Sequence, residues 1–275
     1  MPANKGLFTT LPFLLNGFLL PIPVCAALEH LFLYFPDREI VMTPTTMRLE
    51  FEDVFFTSED GIKLHGWYLP GEAGKPVVVF CHGNAGNISH RVDILRLLRQ
   101  LGLTSFIFDY RGYGQSEGKA SEKGTYRDMR AAISWLRKKG WQGEQMIYFG
   151  RSVGAGVALQ LALEQPPAAL VLESPFTSIK AMAQHNYPLL WLLAGWALEA
   201  RYDNLTKIDR LQVPLLILHG DRDRIVPQQM GKQLFERAQQ PKTFYSIPGA
   251  GHNNTYDVGG TRYWQQWQNL LQQYF

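Results

Sequence analysis

Two cysteines in 275 residues, Cys25 and Cys81, leave little room for disulfide chemistry. Cys25 sits in an apolar N-terminal stretch and Cys81 ends a strand-like run, and such unlike contexts argue against a structural bridge. Charge is thin as well. The formal net charge is +3, from 27 Lys+Arg and 24 Asp+Glu. No cluster of Lys and Arg is interleaved with aromatics, so nothing supports a nucleic-acid partner. No spacing of His, Cys, Asp and Glu suggests a metal site. A G-x-G-x-x-G is missing too, so Gly150, Gly154 and Gly156 do not make a dinucleotide loop. No cofactor is expected. Repeats and low-complexity segments are lacking, which excludes solenoids and arrays. What remains is a chain with 46% hydrophobic residues, long enough for one large α/β domain with an N-terminal extension and too short for two such domains.

The longest absence of charge runs between Lys5 and Glu29. A helix needs about 20 residues to cross a bilayer, so this stretch is long enough to span. Pro12, Pro21, Pro23, Asn16 and Gly17 interrupt it. Val24-Cys25-Ala26 also offers the small residues of a signal-peptidase site after an apolar core at 11–20. Three readings follow: an uncleaved membrane anchor, which ranks first, an exported protein whose signal peptide is removed, and a soluble apolar extension packed on the domain or lying in the interface. The flanking charges are too balanced to set an orientation. The expected division is an N-terminal apolar segment at 1–36 and one catalytic domain at 37–275.

After Pro36 the pattern becomes mixed. Residues 51–58 and 63–69 read as strands around the turn Glu59-Asp60-Gly61, a hairpin signal. From Val77 onward strands alternate with helical spacing: strand 77–81, helix 89–100, strand 106–110, helix 126–138, then strands at 146–149, 169–173, 215–219 and 243–247. Continuous runs of Val, Ile, Leu and Phe mean strands covered on both faces. Their alternation with helices predicts a mostly parallel, eight-stranded sheet with right-handed crossovers, edged by the antiparallel hairpin. In such sheets reactive groups gather at the carboxyl ends of the strands. The longest insertion, 178–207, holds an apolar helix-like run at 187–196 and is expected to form a short lid over an apolar pocket.

Gly150-Arg151-Ser152-Val153-Gly154 lies between the strand at 146–149 and a helix of small and aliphatic residues. In a G-x-S-x-G turn the serine takes a strained backbone, and the positions two before and two after must lack side chains that would clash. The turn also aims the first free N–H groups of the helix at the serine, where the helix dipole favours negative charge. Gly114-Gln115-Ser116-Glu117-Gly118 matches the same expression but has neither the strand before it nor the helix after it. Ser116 therefore reads as a loop residue and Ser152 as the nucleophile.

A serine hydroxyl needs a base to take its proton and a carboxylate to hold that base in the correct tautomer. The loop after the strand at 215–219 offers two aspartates, Asp221 and Asp223, and the loop after the last strand offers His252 between Gly251 and Asn253. The order Ser, Asp, His is the one used with a strand–helix elbow. His82 and His219 read as structural, and Arg151 as a surface or lid contact or, alternatively, as a group that recognises a substrate carboxylate or head group.

Together with this elbow, His82-Gly83-Asn84-Ala85-Gly86-Asn87, Asp109-Tyr110-Arg111-Gly112-Tyr113-Gly114, Glu173-Ser174-Pro175-Phe176-Thr177-Ser178 and His219-Gly220-Asp221-Arg222-Asp223 carry a resemblance. The chain resembles the α/β-hydrolase superfamily, and within it the N-terminally anchored serine hydrolases that include protein depalmitoylases and lysophospholipases. The resemblance covers nearly everything after residue 36. It implies the α/β-hydrolase fold, Asp223 as the acid, since it shortly precedes the Val226-Pro227 pair, and His252 as the base, leaving Asp221 as a turn residue. It also implies that the backbone N–H groups of Asn84 and Val153 form the oxyanion hole. His82-Gly83 suits that role because a glycine lets the chain turn sharply enough for an amide to face the substrate oxygen. Asn254 stands where an acidic residue often follows the histidine loop in that family. The expected activity is a serine hydrolase acting through an acyl-enzyme on a carboxylic ester or thioester of a small-molecule or lipid-like acyl substrate at a membrane. The alternatives are a serine peptidase or aminopeptidase of the same fold and a catalytically idle binding member. An aspartate nucleophile, as halide or epoxide cleavage requires, is excluded by the serine at 152.

Overall fold

The structure is a computed structural model that describes residues 32–195 and 198–275. Eight strands form one sheet: β1 (Glu52–Thr57), β2 (Lys63–Leu69), β3 (Val77–Cys81), β4 (Thr104–Phe108), β5 (Met146–Arg151), β6 (Ala169–Glu173), β7 (Leu215–Gly220) and β8 (Lys242–Ile247). Their spatial order is β8-β7-β6-β5-β3-β4-β2-β1. β3 to β8 are mutually parallel, and β2 joins β4, and β1 joins β2, antiparallel. This is the α/β-hydrolase architecture that the motifs implied.

Seven helices cover the sheet among the described residues: α1 (Val92–Gln100), α2 (Glu122–Lys138), α3 (Val153–Glu164), α4 (Ile179–Asn186), α5 (Pro188–Ala194), α6 (Gln228–Arg237) and α7 (Thr255–Tyr274). Alternation along the central strands divides the core into two layers, because successive side chains leave a strand on opposite faces. Val77, Val79 and Cys81 pack with Met129 and Ile133 of α2 and Val157 of α3. Val78 and Phe80 pack with Leu95 and Leu98 of α1 and Trp267 of α7. Trp267 meets Phe149 edge-on with ring centroids 5.2 Å apart. Each such fully buried large side chain contributes about 1.5–3 kcal/mol through area removed from water.

The departures from the sequence reading have local causes. The strand expected at 106–110 is Thr104–Phe108. The Asp109 carboxylate accepts from Ile88 N at 3.0 Å, and the Tyr110 hydroxyl donates to His82 O at 3.1 Å, which together take the chain out of the sheet after Phe108. α2 begins four residues before the expected start of 126, because Ser121 Oγ accepts from Gly124 N at 3.1 Å and caps an earlier turn. α6 and α7 were not foreseen. Gly260, at φ 48°, kinks α7 and breaks the apolar period that would have marked it.

The expectation of a membrane-anchored protein is corrected here. Among the described residues no helix is long and apolar enough to cross a membrane, and the uncharged stretch from which the anchor and the signal peptide were read lies outside the described residues. Residues 32–36 do not stand apart from the domain. Tyr34 is buried with its hydroxyl 2.9 Å from that of Tyr202, and Phe35–Pro36 makes a short parallel bridge with Ala85–Gly86.

The sheet and α3 approach each other closely at two glycines. A Cβ on Gly154 would lie 2.0 Å from Cys81 O, and one on Gly150 would lie 2.4 Å from Gly154 O. Both obstacles are backbone atoms that cannot swing away. Gly154→Ala is therefore expected to destabilise the protein by about 1–3 kcal/mol, as overpacking does, read as a lower urea midpoint with an unchanged slope; an unaltered midpoint would mean that the helix has room to move.

Candidate active site

Ser152 follows β5 and caps α3 with φ 54° and ψ −119°, a conformation that non-glycine residues rarely adopt. Its N–H donates to Glu173 O at 3.0 Å, and its carbonyl accepts from Ala155 N at 2.9 Å, so strand β6 and the first turn of α3 hold the strained residue from both sides. Ser152 is 8% exposed. It borders a cavity of about 480 Å³ that is also lined by Gly83, Asn84, Val153 and His252.

His252 comes to this cavity on the loop between β8 and α7, and Asp223 stands behind it on the loop after β7. His252 Nδ1 lies 2.7 Å from Asp223 Oδ2. The other carboxylate oxygen accepts from Ile225 N at 3.0 Å and Val226 N at 2.8 Å, and His219 Nε2 is 3.4 Å from Oδ2. Burial pushes the Asp223 carboxyl up, but the hydrogen bonds from His219 and His252 outweigh it and hold the group well below the usual carboxylate range. Asp221 does not reach His252. Its carboxylate is spent on Gly249 N at 2.7 Å, bracing the turn that precedes the histidine loop. Ser152 Oγ and His252 share the cavity without a hydrogen bond between them, and such catalytic hydrogen bonds often close only when substrate is bound.

The loop at 82–84 runs beside the serine, with the Cβ position of Gly83 3.7 Å from Ser152 Cβ. Its carbonyls are pinned from outside the cavity. Tyr113 OH donates to Asn84 O at 2.7 Å, Phe35 N donates to the same carbonyl at 2.9 Å, and the Asn84 side-chain amide donates to Leu33 O at 3.1 Å. His82 is fully buried, and burial with the nearby Arg91 charge lowers its pKa to about 3, so it stays a neutral member of the loop. Ser116, the rival serine, is buried away from the cavity. Its hydroxyl donates to Asp109 O at 2.8 Å and accepts from His65 N at 2.9 Å. It ties a loop to the sheet.

Sequence reasoning missed the clamp behind the histidine. Its sequence context suggests a surface, lid or substrate contact for Arg151, yet the residue is 7% exposed, with Nε 2.9 Å from Glu173 Oε1 and Nη2 donating to His252 O at 3.0 Å. Glu173 is fully buried and also accepts from Thr255 Oγ1 at 2.8 Å and from Tyr263 OH. One ion pair thus joins the end of β5 to the end of β6, the histidine loop and α7. No spacing rule pairs an elbow residue with a carboxylate 22 positions on; only the register of β5 on β6, which sets Arg151 opposite Glu173, does so. Among the described residues no group of three or more His, Cys, Asp or Glu has an arrangement that could hold a metal ion.

The family model described as "Hydrolase_4: Serine aminopeptidase, S33" matches residues 72–207 and 197–258. The chain belongs to the serine aminopeptidase S33 family. It is thus a hydrolase of the α/β fold. Among its relatives, an Arabidopsis thaliana α/β-hydrolase domain-containing protein, WAV2, is 31% identical over 92% of this chain and 90% of its own. The zebrafish (Danio rerio) lysophosphatidylserine lipase ABHD12 is 36% identical over 64% of this chain and 51% of its own. The Pyrococcus furiosus esterase Pf2001 superposes with a TM-score of 0.73 at 23% identity, over 88% of this chain and 98% of that one, a likeness of fold. The S33 match spans the serine elbow and the aspartate and histidine loops.

Because the folded state holds Asp223 below the unfolded carboxylate pKa of about 3.9, its ionisation stabilises the fold above that value and ceases to do so as pH falls toward the folded pKa. The stability difference between the native chain and Asp223→Asn is expected to be constant above about pH 5 and to shrink below about pH 4. Urea unfolding across this range measures it, and a difference that grew on acidification would reverse the sign of the assigned interaction.

Proposed function

We propose that this hydrolase cleaves carboxylic esters or thioesters carrying an apolar acyl group, by way of an acyl-enzyme on Ser152. The observation that carries this reading is the Asp223–His252 pair, 2.7 Å apart, whose histidine lines the cavity that Ser152 shares. In this reading Ser152 Oγ attacks the carbonyl carbon while His252 Nε2 takes its proton, and Asp223 keeps the imidazole in the tautomer with its proton on Nδ1. The carbonyl oxygen becomes an oxyanion facing the N–H groups of Asn84 and Val153. Val153 begins α3, so its N–H has no acceptor in its own helix. Asn84 N makes no hydrogen bond among the described residues. Collapse of the intermediate breaks the bond to the alcohol or thiol, which leaves with the proton from His252. Water then repeats the sequence on the acyl-enzyme, releasing the acid and restoring Ser152.

The cavity also suits an apolar acyl group. Phe176, Ile179, Met182 and Leu198 line it, two of them from α4. In this reading the insertion at 178–207 acts as the lid; from the run at 187–196 Tyr187 borders the cavity, while Leu189 and Leu192 are 77% and 78% exposed. An aminopeptidase must seat an α-ammonium group, which calls for a carboxylate. The cavity lining has no Asp or Glu among the described residues and three arginines instead, Arg91, Arg151 and Arg224. That balance favours ester over aminoacyl substrates.

Ser152→Ala is expected to abolish labelling by a fluorophosphonate probe and turnover of 4-nitrophenyl esters. Asp223→Asn should lower kcat by up to about 10⁴-fold, whereas Asp221→Asn should leave the rate within a few-fold. Persistent labelling of the alanine variant would remove Ser152 from the mechanism, and a native protein that neither labels nor turns over esters would be a binding member of the family.

A further inference from the structure

The three cavity arginines are not equivalent. Arg151 is neutralised by Glu173 at 2.9 Å and committed to the histidine loop. Arg224 is exposed at the rim. Arg91 lies between them in character: it is partly buried on the cavity wall, and no carboxylate stands within 4 Å of it among the described residues. Of its five N–H donors, one goes to Ala85 O at 2.6 Å and one to His90 O at 3.2 Å. Its Nε is buried with no hydrogen-bond partner among the described residues. Burial, and after it the charge of Arg151, lowers its pKa to about 10, which leaves it a full cation at neutral pH.

A half-buried cation with no carboxylate within 4 Å among the described residues is left with donors free for an incoming anion. Arg91 is bonded to Ala85, the residue after Asn84, so it stands beside the loop that would hold the oxyanion. The other charged groups on the lining, Arg151 and Arg224, are also cations, so an anion arriving there would meet positive charge and the two Nη N–H donors of Arg91 that no carbonyl takes. Charge-assisted hydrogen bonds are stronger than neutral ones, and the planar guanidinium fork matches the oxygens of a carboxylate or phosphate. We propose that Arg91 binds an anionic group of the substrate, so that the favoured substrate is an ester or thioester joining an apolar acyl chain to a carboxylate or phosphate within the same molecule. This rests on the hydrolase reading above for its turnover and on the cavity alone for its binding.

The test uses matched esters and the full chain. Glycolamide hexanoate is neutral, glycolate hexanoate places a carboxylate on the leaving side, and 2-phosphoethyl hexanoate places a phosphate there. Mono-4-nitrophenyl adipate against 4-nitrophenyl hexanoate moves the carboxylate to the acyl side. For at least one anionic member kcat/KM is expected to exceed that of its neutral partner about 10-fold or more. Arg91→Gln should reduce this anionic-over-neutral ratio about 10- to 100-fold, mainly through KM, as loss of hydrogen bonds to a charged group does. Arg91→Lys should restore part of the ratio. Arg99→Gln, the same loss of charge on α1, should leave it unaltered. Calorimetric binding of the same esters to Ser152→Ala gives a readout without turnover. The preference should appear there too and should fall in the Ser152→Ala, Arg91→Gln double variant. A native ratio near one in every pair, or equal losses for neutral and anionic esters in Arg91→Gln, would overturn the proposal and leave Arg91 as a brace for the loop at 85–90. Selective binding without turnover would instead sink the hydrolytic reading and leave the anion site standing.

Discussion

The contact between α3 and the end of β3 sets the position of everything else in the site. With no side chain at 154, the first turn of the helix sits against the carbonyl of Cys81, and Ser152 is carried into a positive-φ conformation between strand and helix. A strained residue persists only where its surroundings over-determine it. Here Glu173 O and Ala155 N take both of its backbone groups. Because β3 continues into the 82–84 loop, the same contact that fixes the serine also fixes the loop whose amide would face a substrate oxygen. The elbow and the loop are thus positioned by one contact.

A second constraint is electrostatic. Buried charges are matched by partners: Arg151 with Glu173, Asp223 with His252 and His219, Arg111 with Asp128. Arg151–Glu173 and Asp223–His252 tie together the ends of strands where the site is built, whereas His219–Asp223 spans four residues and Arg111–Asp128 joins a loop to the helix that follows it. Since a buried pair must offset a large desolvation cost, it acts as a positional lock more than as a source of net stability. Arg91 is the exception on the cavity wall, a cation whose guanidinium is only partly satisfied by carbonyls. The cavity thus combines aliphatic and aromatic side chains, Phe176 and those of α4 among them, with arginines that are not all paired.

The segment at 32–36 shows how a region outside the repeating pattern can complete a site. Phe32, Leu33 and Phe35 line the cavity, and the hydrogen bonds from Phe35 N to Asn84 O and from the Asn84 side chain to Leu33 O fasten the loop from its outer side. Sequence reading assigned these residues to an extension. In three dimensions they belong to the wall.

By itself the sequence determined the fold class, the strand alternation and the elbow, because those depend on short-range signals: apolar runs bounded by turns, glycines two residues either side of a serine, and an aspartate and a histidine placed after strands. Strands at 63–69, 77–81 and 169–173 have the bounds their hydrophobic runs suggested. Tertiary structure decided what depends on register and side-chain reach. It set Asp223 rather than Asp221 against His252, since Asp221 is turned toward Gly249. It drew Arg151 onto Glu173 and the carbonyl of His252, and it left Arg91 facing the cavity without a carboxylate. It also put Leu33 and Phe35 in contact with the loop at Asn84. These are pairings across sheet neighbours and between loops far apart in the chain, and no periodicity along the chain encodes which of several arginines or aspartates will arrive there.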